Sequence, residues 1–277
     1  YSLVFVHGFT GHPEKTWKRA AKKHGREDGE ALPPSKDVYW PADLVPRTLP
    51  SSRVLTYGYD TNIKHWIKGQ VSTKTVRDHG WDLVSSLEAI RRSQEETQRP
   101  LLFVAHSLGG LIVKEALRKA RDCASIKPHI HSIFEATAGV IFFGTPHRGA
   151  DPRSLFHHTL AVCAQIAGFT PPRQIVDILP PTAEHLAELR DQFSSMCHQK
   201  IWPVYSFQEE YGVALLGRKV VDDSSSCLDD PTTETKQHIS SNHIDMCRFS
   251  GLDDPEYRKV EAALTFILGT TQVITTD

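Results

Sequence analysis

A chain of 277 residues with 39% hydrophobic content and a formal net charge of −1 is long enough for one large mixed α/β domain with a full core. That balanced charge provides no global attraction to nucleic acid or to an anionic membrane, and no apolar run approaches the ~20 residues that cross a bilayer. Five cysteines (Cys123, Cys163, Cys197, Cys227 and Cys247) are odd in number, far apart and without zinc or redox spacing, which argues for a reducing, cytoplasmic setting and against a disulfide framework.

The chain opens at Tyr1 inside strand-like sequence, Leu3-Val4-Phe5-Val6, with no initiator methionine and no signal peptide. It is therefore expected to be a piece of a longer protein, with covalently linked domains or targeting signals out of view. Within it no linker and no internal repeat divides residues 1–277, so a single domain is expected. The first run leads into His7-Gly8-Phe9-Thr10-Gly11. Residues 18–37 are rich in Lys, Arg, Glu, Gly and Pro and read as a solvated loop. Its basic cluster, Lys18, Arg19, Lys22 and Lys23, is followed at once by Glu27, Asp28 and Glu30, the pattern of plain surface rather than of a phosphate site.

A second strand is expected at Val54-Leu55-Thr56-Tyr57. Residues 81–92 carry apolar side chains at 83, 84, 87 and 90, a helical stripe. The third strand, Leu101-Leu102-Phe103-Val104, runs into Ala105-His106-Ser107-Leu108-Gly109, and a helix is expected from Gly110 through Leu117. The fourth, Gly139-Val140-Ile141-Phe142-Phe143, ends in Gly144-Thr145-Pro146-His147-Arg148-Gly149. Residues 150–199 alternate apolar helical stretches (155–169 and 186–193) with Pro171-Pro172 and Pro180-Pro181; they are expected to form a helical cap insertion, with packed helices of no gating role as the alternative. Residues 201–207 form the fifth expected strand, ending at Gln208-Glu209-Glu210. Lys219-Val220-Val221, followed by Asp222-Asp223, is the expected last one. Asp254-Pro255 opens a final helix with Tyr257, Val260, Leu264, Ile267 and Leu268 on one face, and Gly269 is expected to stop it. Apolar runs separated by crossovers imply a mostly parallel sheet flanked by helices.

Apolar strand, small-x-Ser-x-Gly, then helix is the nucleophile elbow of a serine hydrolase. Small residues two before and two after Ser107 are needed where backbones pass close together, and Ala105 stands where glycine is commoner. The Ser107 hydroxyl is expected at the mouth of a pocket. A serine needs a base to take its proton and an acid to orient that base, and in this arrangement the order is serine, acid, histidine. The oxyanion donors are expected to be the backbone amides of Leu108 and of Phe9, with Gly8 allowing a sharp turn after the first strand. His7 and His106 are expected to brace these turns.

Two histidines, His238 and His243, combine with a position after the last expected strand. His243, in Ser241-Asn242-His243-Ile244-Asp245-Met246-Cys247 just before the capped final helix, is the favoured base. His238 lies in a polar run, 222–241, expected to be mobile. The acid belongs after the penultimate strand, at Glu209 or Glu210, with Asp222 and Asp223 as alternatives that spacing does not separate. The pairs His157-His158 and His129/His131 have no partners at metal-ligand spacing, so no metal and no cofactor are expected.

These pieces together resemble a family of serine esterases within the α/β-hydrolase superfamily. It includes the lipase-like N-terminal domains of fungal NACHT and ankyrin-repeat proteins and the serine-active-site-containing proteins of phospholipid remodelling. The resemblance rests on Val4 through Gly11, Ala105 through Lys114, Phe142 through Gly149, Val220 through Ser226, and Asn242 through Phe249. GPI inositol deacylases are similar at the elbow and the Gly-Thr-Pro-His segment. The resemblance implies an α/β-hydrolase fold and matches Ser206-Phe207-Gln208-Glu209, which favours Glu209 as the acid. It also implies cleavage of a carboxylic ester, with a small-molecule or lipid acyl substrate, transfer to an alcohol as a variant outcome, and at most peripheral membrane contact. A second reading, of another class, is a signalling or interaction module of a larger receptor-like protein with vestigial activity. A missing catalytic residue is the usual sign of such decay, and none is missing.

Overall fold

Apolar runs with no polar face need burial on both sides, and here they obtain it in the middle of a sheet. The computed structural model describes residues 1–8, 11–21, 26–27, 30–31, 36–59, 75–147, 183–213 and 218–274. Six strands, β1 (Ser2–Val6), β2 (Arg53–Tyr57), β3 (Leu101–His106), β4 (Thr137–Phe143), β5 (Val204–Glu209) and β6 (Glu234–Ile239), lie in the order β6-β5-β4-β3-β1-β2. Every neighbouring pair is parallel. After β1 the chain crosses to β2 on one side and then returns to β3 on the other. The crevice beyond the carboxyl ends of β1 and β3 is thus the switch point where open parallel sheets bind ligands.

Alternation along the strands divides the core in two. Val4, Val6, Phe103, Ala105, Val140 and Phe142 face α1 (Val76–Ala89), α2 (Gly109–Asp122), α3 (Pro128–Ala136) and α4 (Ala183–Lys200). Leu3, Phe5, Leu102, Val104, Ile141 and Phe143 face Trp17, Trp40 and the Tyr257, Val260, Leu264 and Ile267 stripe of α5 (Pro255–Ile274). Each such large side chain contributes about 1.5–3 kcal/mol by leaving water. Two helix starts carry side-chain caps, of which only the one at Asp254 is expected from sequence. Thr75 and Asp78 form a reciprocal capping box on α1, and Asp254 Oδ1 accepts the Glu256 amide at 3.0 Å at the start of α5.

Four expectations are corrected. The last strand is not Lys219-Val220-Val221, which has no place in the sheet, but Glu234–Ile239. The amides of Val220 and Val221 both point at one carboxylate, that of Glu209, a bend that no strand can adopt because its successive amides point opposite ways. His238 consequently lies in an ordered edge strand and not in a mobile run. Gly269 does not stop α5, which continues to Ile274. The loop at 18–37 carries two short antiparallel ladders, Lys18–Arg19 with Val38–Tyr39 and Arg26–Glu27 with Glu30–Ala31.

Of the expected cap at 150–199, residues 183–199 lie in α4 and residues 150–182 lie outside the described residues. Among the described residues no helix is long and apolar enough to cross a membrane, and no cluster of His, Cys, Asp and Glu could hold a metal ion. Among the described residues Cys123, Cys197 and Cys247 are free thiols.

Candidate active site

Ser107 sits between the end of β3 and the start of α2 with φ +53°, a left-handed conformation that a side chain rarely adopts. Three bonds hold it there. Its amide donates to the Phe143 carbonyl at 2.8 Å, and its own carbonyl accepts from the Gly110 amide at 3.1 Å and from Thr145 Oγ1 at 3.0 Å. The close approaches that demand small residues come chiefly from the end of β1. A Cβ on Gly109 would stand 2.4 Å from the His7 carbonyl oxygen, and one on Gly8 would stand 2.8 Å from Ser107 Cβ. Gly8 is therefore required for contact, and its own backbone has no positive φ. Pressed between Gly8 and His243, Ser107 is only 1% exposed, so its hydroxyl is buried and not at an open mouth.

His243 Nε2 lies 3.0 Å from Ser107 Oγ. Its Nδ1 faces Glu209 Oε1 at 3.4 Å, and both side chains are buried. A carboxylate only accepts, so hydrogen belongs on Nδ1 and the Nε2 lone pair faces the serine hydroxyl. Glu209 is fixed from the other side by the amides of Val221 (2.7 Å) and Val220 (3.0 Å). The alternatives are elsewhere. Glu210 points to the surface and bonds Ser240 Oγ at 2.6 Å. Asp222 is exposed, and its carbonyl accepts the Ser225 and Ser226 amides. Asp223 pairs with Lys219 at 2.6 Å and with His238 at 3.3 Å, which accounts for His238 as a surface ion-pairing residue.

The structure brings Ser107, His243 and Glu209 together, with Leu108 following the serine at the start of α2, where the helix dipole is positive. Phe9 lies outside the described residues. His7 is buried and stacked on Tyr59, with ring centroids 4.4 Å apart and 5° between planes. Its Nδ1 lies 2.9 Å from the Gly8 carbonyl oxygen, and burial pushes its pKa down to about 4.

Sequence reasoning recognised Gly144 through His147 as a motif without assigning its parts. Gly144 has φ +53°, and a Cβ there would stand 2.9 Å from His243 Nδ1, so its absence makes room for the imidazole. Thr145 braces the elbow carbonyl, as above. His147 Nδ1 meets Lys114 Nζ at 2.6 Å beneath the elbow, between the rings of Phe142 and Phe193. Burial pushes the Lys114 pKa down to about 7. The signal that could have found these roles is a glycine directly after a buried strand, followed by a short hydroxylic residue.

No family model matches the chain. It is similar in structure to the lipase BlEst2 of Bacillus licheniformis in its mature form, with a TM-score of 0.53, 16% identity, and coverage of 98% of this chain and 90% of that one. One of LipS and LipT, two metagenome-derived lipolytic enzymes, gives a TM-score of 0.51 at 16% identity, covering 97% of this chain and 93% of that one. The chain has the α/β-hydrolase fold. Among sequences, the chain is 26% identical to Protein SERAC1 of Mus musculus over 211 residues, 75% of this chain and 30% of that protein. It is 28% identical to the Danio rerio protein of the same name over 217 residues, again 75% and 30%. The chain thus spans 30% of the length of these relatives.

Proposed function

We propose that this chain is a serine hydrolase that cleaves a carboxylic ester through an acyl-enzyme on Ser107. The observation that carries the reading is the continuous contact from Ser107 Oγ to His243 Nε2 (3.0 Å) and from His243 Nδ1 to Glu209 Oε1 (3.4 Å). His243 takes the hydroxyl proton as Oγ attacks the ester carbonyl, and Glu209 holds the resulting imidazolium. The oxyanion is received by the amides of Leu108 and Phe9, each worth roughly a hundredfold to a thousandfold in rate. The carbonyl then re-forms, the alcohol leaves with the proton from His243, and the acyl group stays on Oγ. Water, activated in turn by His243, releases the acid; an alcohol in its place makes the reaction a transfer.

Lipid acyl esters are the proposed substrate class, supported by the lipases among the similar structures and by the resemblance to proteins of phospholipid remodelling. Additional covalently linked domains belong to the same proposal, supported by the 30% share of the relatives that the chain spans. A fluorophosphonate probe tests the reading without knowledge of the natural substrate, since it labels an activated serine. Stoichiometric labelling of the folded chain is expected, and no labelling leaves the interaction-module reading standing. Gly144→Ala is expected to fold, at a cost of about 1–2 kcal/mol for alanine at a left-handed position. Its methyl group displaces the imidazole, so p-nitrophenyl ester turnover should fall by about tenfold or more. Turnover equal to wild type would show that the ring does not need that space.

A further inference from the structure

His106 precedes the nucleophile and has no part in the proton path above, yet it is tied to the base. Its Nε2 lies 2.9 Å from the backbone carbonyl oxygen of His243, a buried bond across 137 positions of sequence. The two rings tilt at 44° with centroids 4.9 Å apart, and Trp17 meets the His106 ring edge-on at 6.4 Å. A carbonyl only accepts, so this bond needs hydrogen on Nε2. Burial, with the neighbouring His243 ring as a lesser cause, holds the His106 pKa well below the ordinary histidine range. The neutral side chain with hydrogen on Nε2 is the form that fits, and a cation there would oppose an imidazolium at His243.

The turn that carries His243 is shaped from within by Asn242. Its Oδ1 accepts the Ile244 and Asp245 amides at 2.9 and 3.1 Å, and its carbonyl accepts the Met246 amide at 2.9 Å. These bonds set the curvature of the turn and say nothing of where it stands relative to Ser107. Bonds from Trp40 and His106 fasten the backbone of 243–247 to the rest of the fold. Trp40 Nε1 donates to the Cys247 carbonyl at 2.9 Å, at the far end of the turn. His106 holds the near end, at the base itself.

We propose that His106 is a positioning residue, which registers the His243 imidazole against Ser107 by clamping the His243 carbonyl from the position next to the nucleophile. The proposal rests on the serine-hydrolase reading for its kinetic consequence. A clamp built on the last residue of the strand that leads to the nucleophile makes any displacement of that strand carry the base along. A shift of 1 Å between reacting groups is worth about a hundredfold in rate, which is the scale of the effect expected.

The test compares wild type, His106→Phe and His106→Gln. Phenylalanine keeps the ring and its packing and loses the donor, whereas the glutamine amide brings a donor to the place of Nε2. For His106→Phe, kcat and the rate of fluorophosphonate labelling should fall by about tenfold to a hundredfold with KM within twofold, and His106→Gln should recover most of the loss. Unchanged rates in His106→Phe overturn the proposal, and so does a His106→Gln enzyme as slow as His106→Phe, which would make the role one of shape. Imidazole 15N–1H spectra provide an arm independent of activity and of variant folding. Wild-type His106 should show a slowly exchanging hydrogen on Nε2 between about pH 5 and 8, where an ordinary histidine titrates. A hydrogen on Nδ1 instead, or titration in that range, overturns the clamp. Absence of labelling in wild type with the His106 Nε2 hydrogen present would count against the hydrolase reading alone and leave the clamp standing.

Discussion

Ser107→Ala is expected to abolish fluorophosphonate labelling and to lower ester turnover by about 10⁴-fold or more, with the folded state nearly as stable as wild type. In the proposed mechanism the kinetic loss follows from losing the atom that forms the acyl bond, while the proposed oxyanion amides and the His243–Glu209 pair are untouched. Stability is nearly preserved because the bonds that hold residue 107 in its left-handed conformation are made by its backbone, to Phe143, Gly110 and Thr145. Among the described residues the hydroxyl's partner is His243 Nε2 at 3.0 Å, and its removal leaves that buried nitrogen to find another. A cost of about 1 kcal/mol is the scale of such a loss, a shift of a few degrees in Tm. Paired melting curves and p-nitrophenyl ester assays decide the matter. Undiminished hydrolysis by a clean Ser107→Ala preparation would sink the nucleophile assignment.

The parts of this fold that are legible in sequence are those buried on both faces. β1, β3 and β4 are continuous apolar runs because helices cover the sheet on each side, so composition alone marks them. β6 is illegible for the opposite reason. Thr235, Lys236, Gln237 and His238 are exposed at the sheet edge, between a buried Glu234 and Ile239, so the strand has no hydrophobic period to detect. Val220 and Val221 mislead in the other direction. They are apolar and buried, but their amides serve the Glu209 carboxylate and not a neighbouring strand. The elbow is readable because its requirements are local: a strand, two small residues and a helix. The braces are tertiary. The bond from His106 to the His243 carbonyl and the room that Gly144 leaves for the imidazole both join residues far apart in sequence, and no local spacing encodes them.

Glu209→Gln is expected to lower turnover by about 10³- to 10⁴-fold and also to weaken the fold, and the two effects have one origin. The Glu209 carboxylate meets three hydrogens: the amides of Val220 and Val221 and the Nδ1 hydrogen of His243. A glutamine amide offers one accepting oxygen and one donating nitrogen to the same three groups. With the nitrogen in the place of Oε1, the imidazole must move its hydrogen to Nε2, where it can no longer take a proton from Ser107, and the Val221 amide loses its acceptor. With the nitrogen in the place of Oε2, the Val220 amide loses its acceptor and the tautomer is kept. Either loss costs about 1–3 kcal/mol. Urea unfolding checks that cost, and kcat separates the two orientations, since only the second spares the tautomer. Glu210→Gln should cost little in either measurement, because that side chain lies at the surface on a bond to Ser240 Oγ. Asp222→Asn should be near wild type, because the turn there uses the backbone carbonyl of Asp222, which the substitution keeps. If Asp222→Asn proves the crippled variant and Glu209→Gln turns over normally, the acid is misassigned, while Ser107 and His243, 3.0 Å apart, keep their roles.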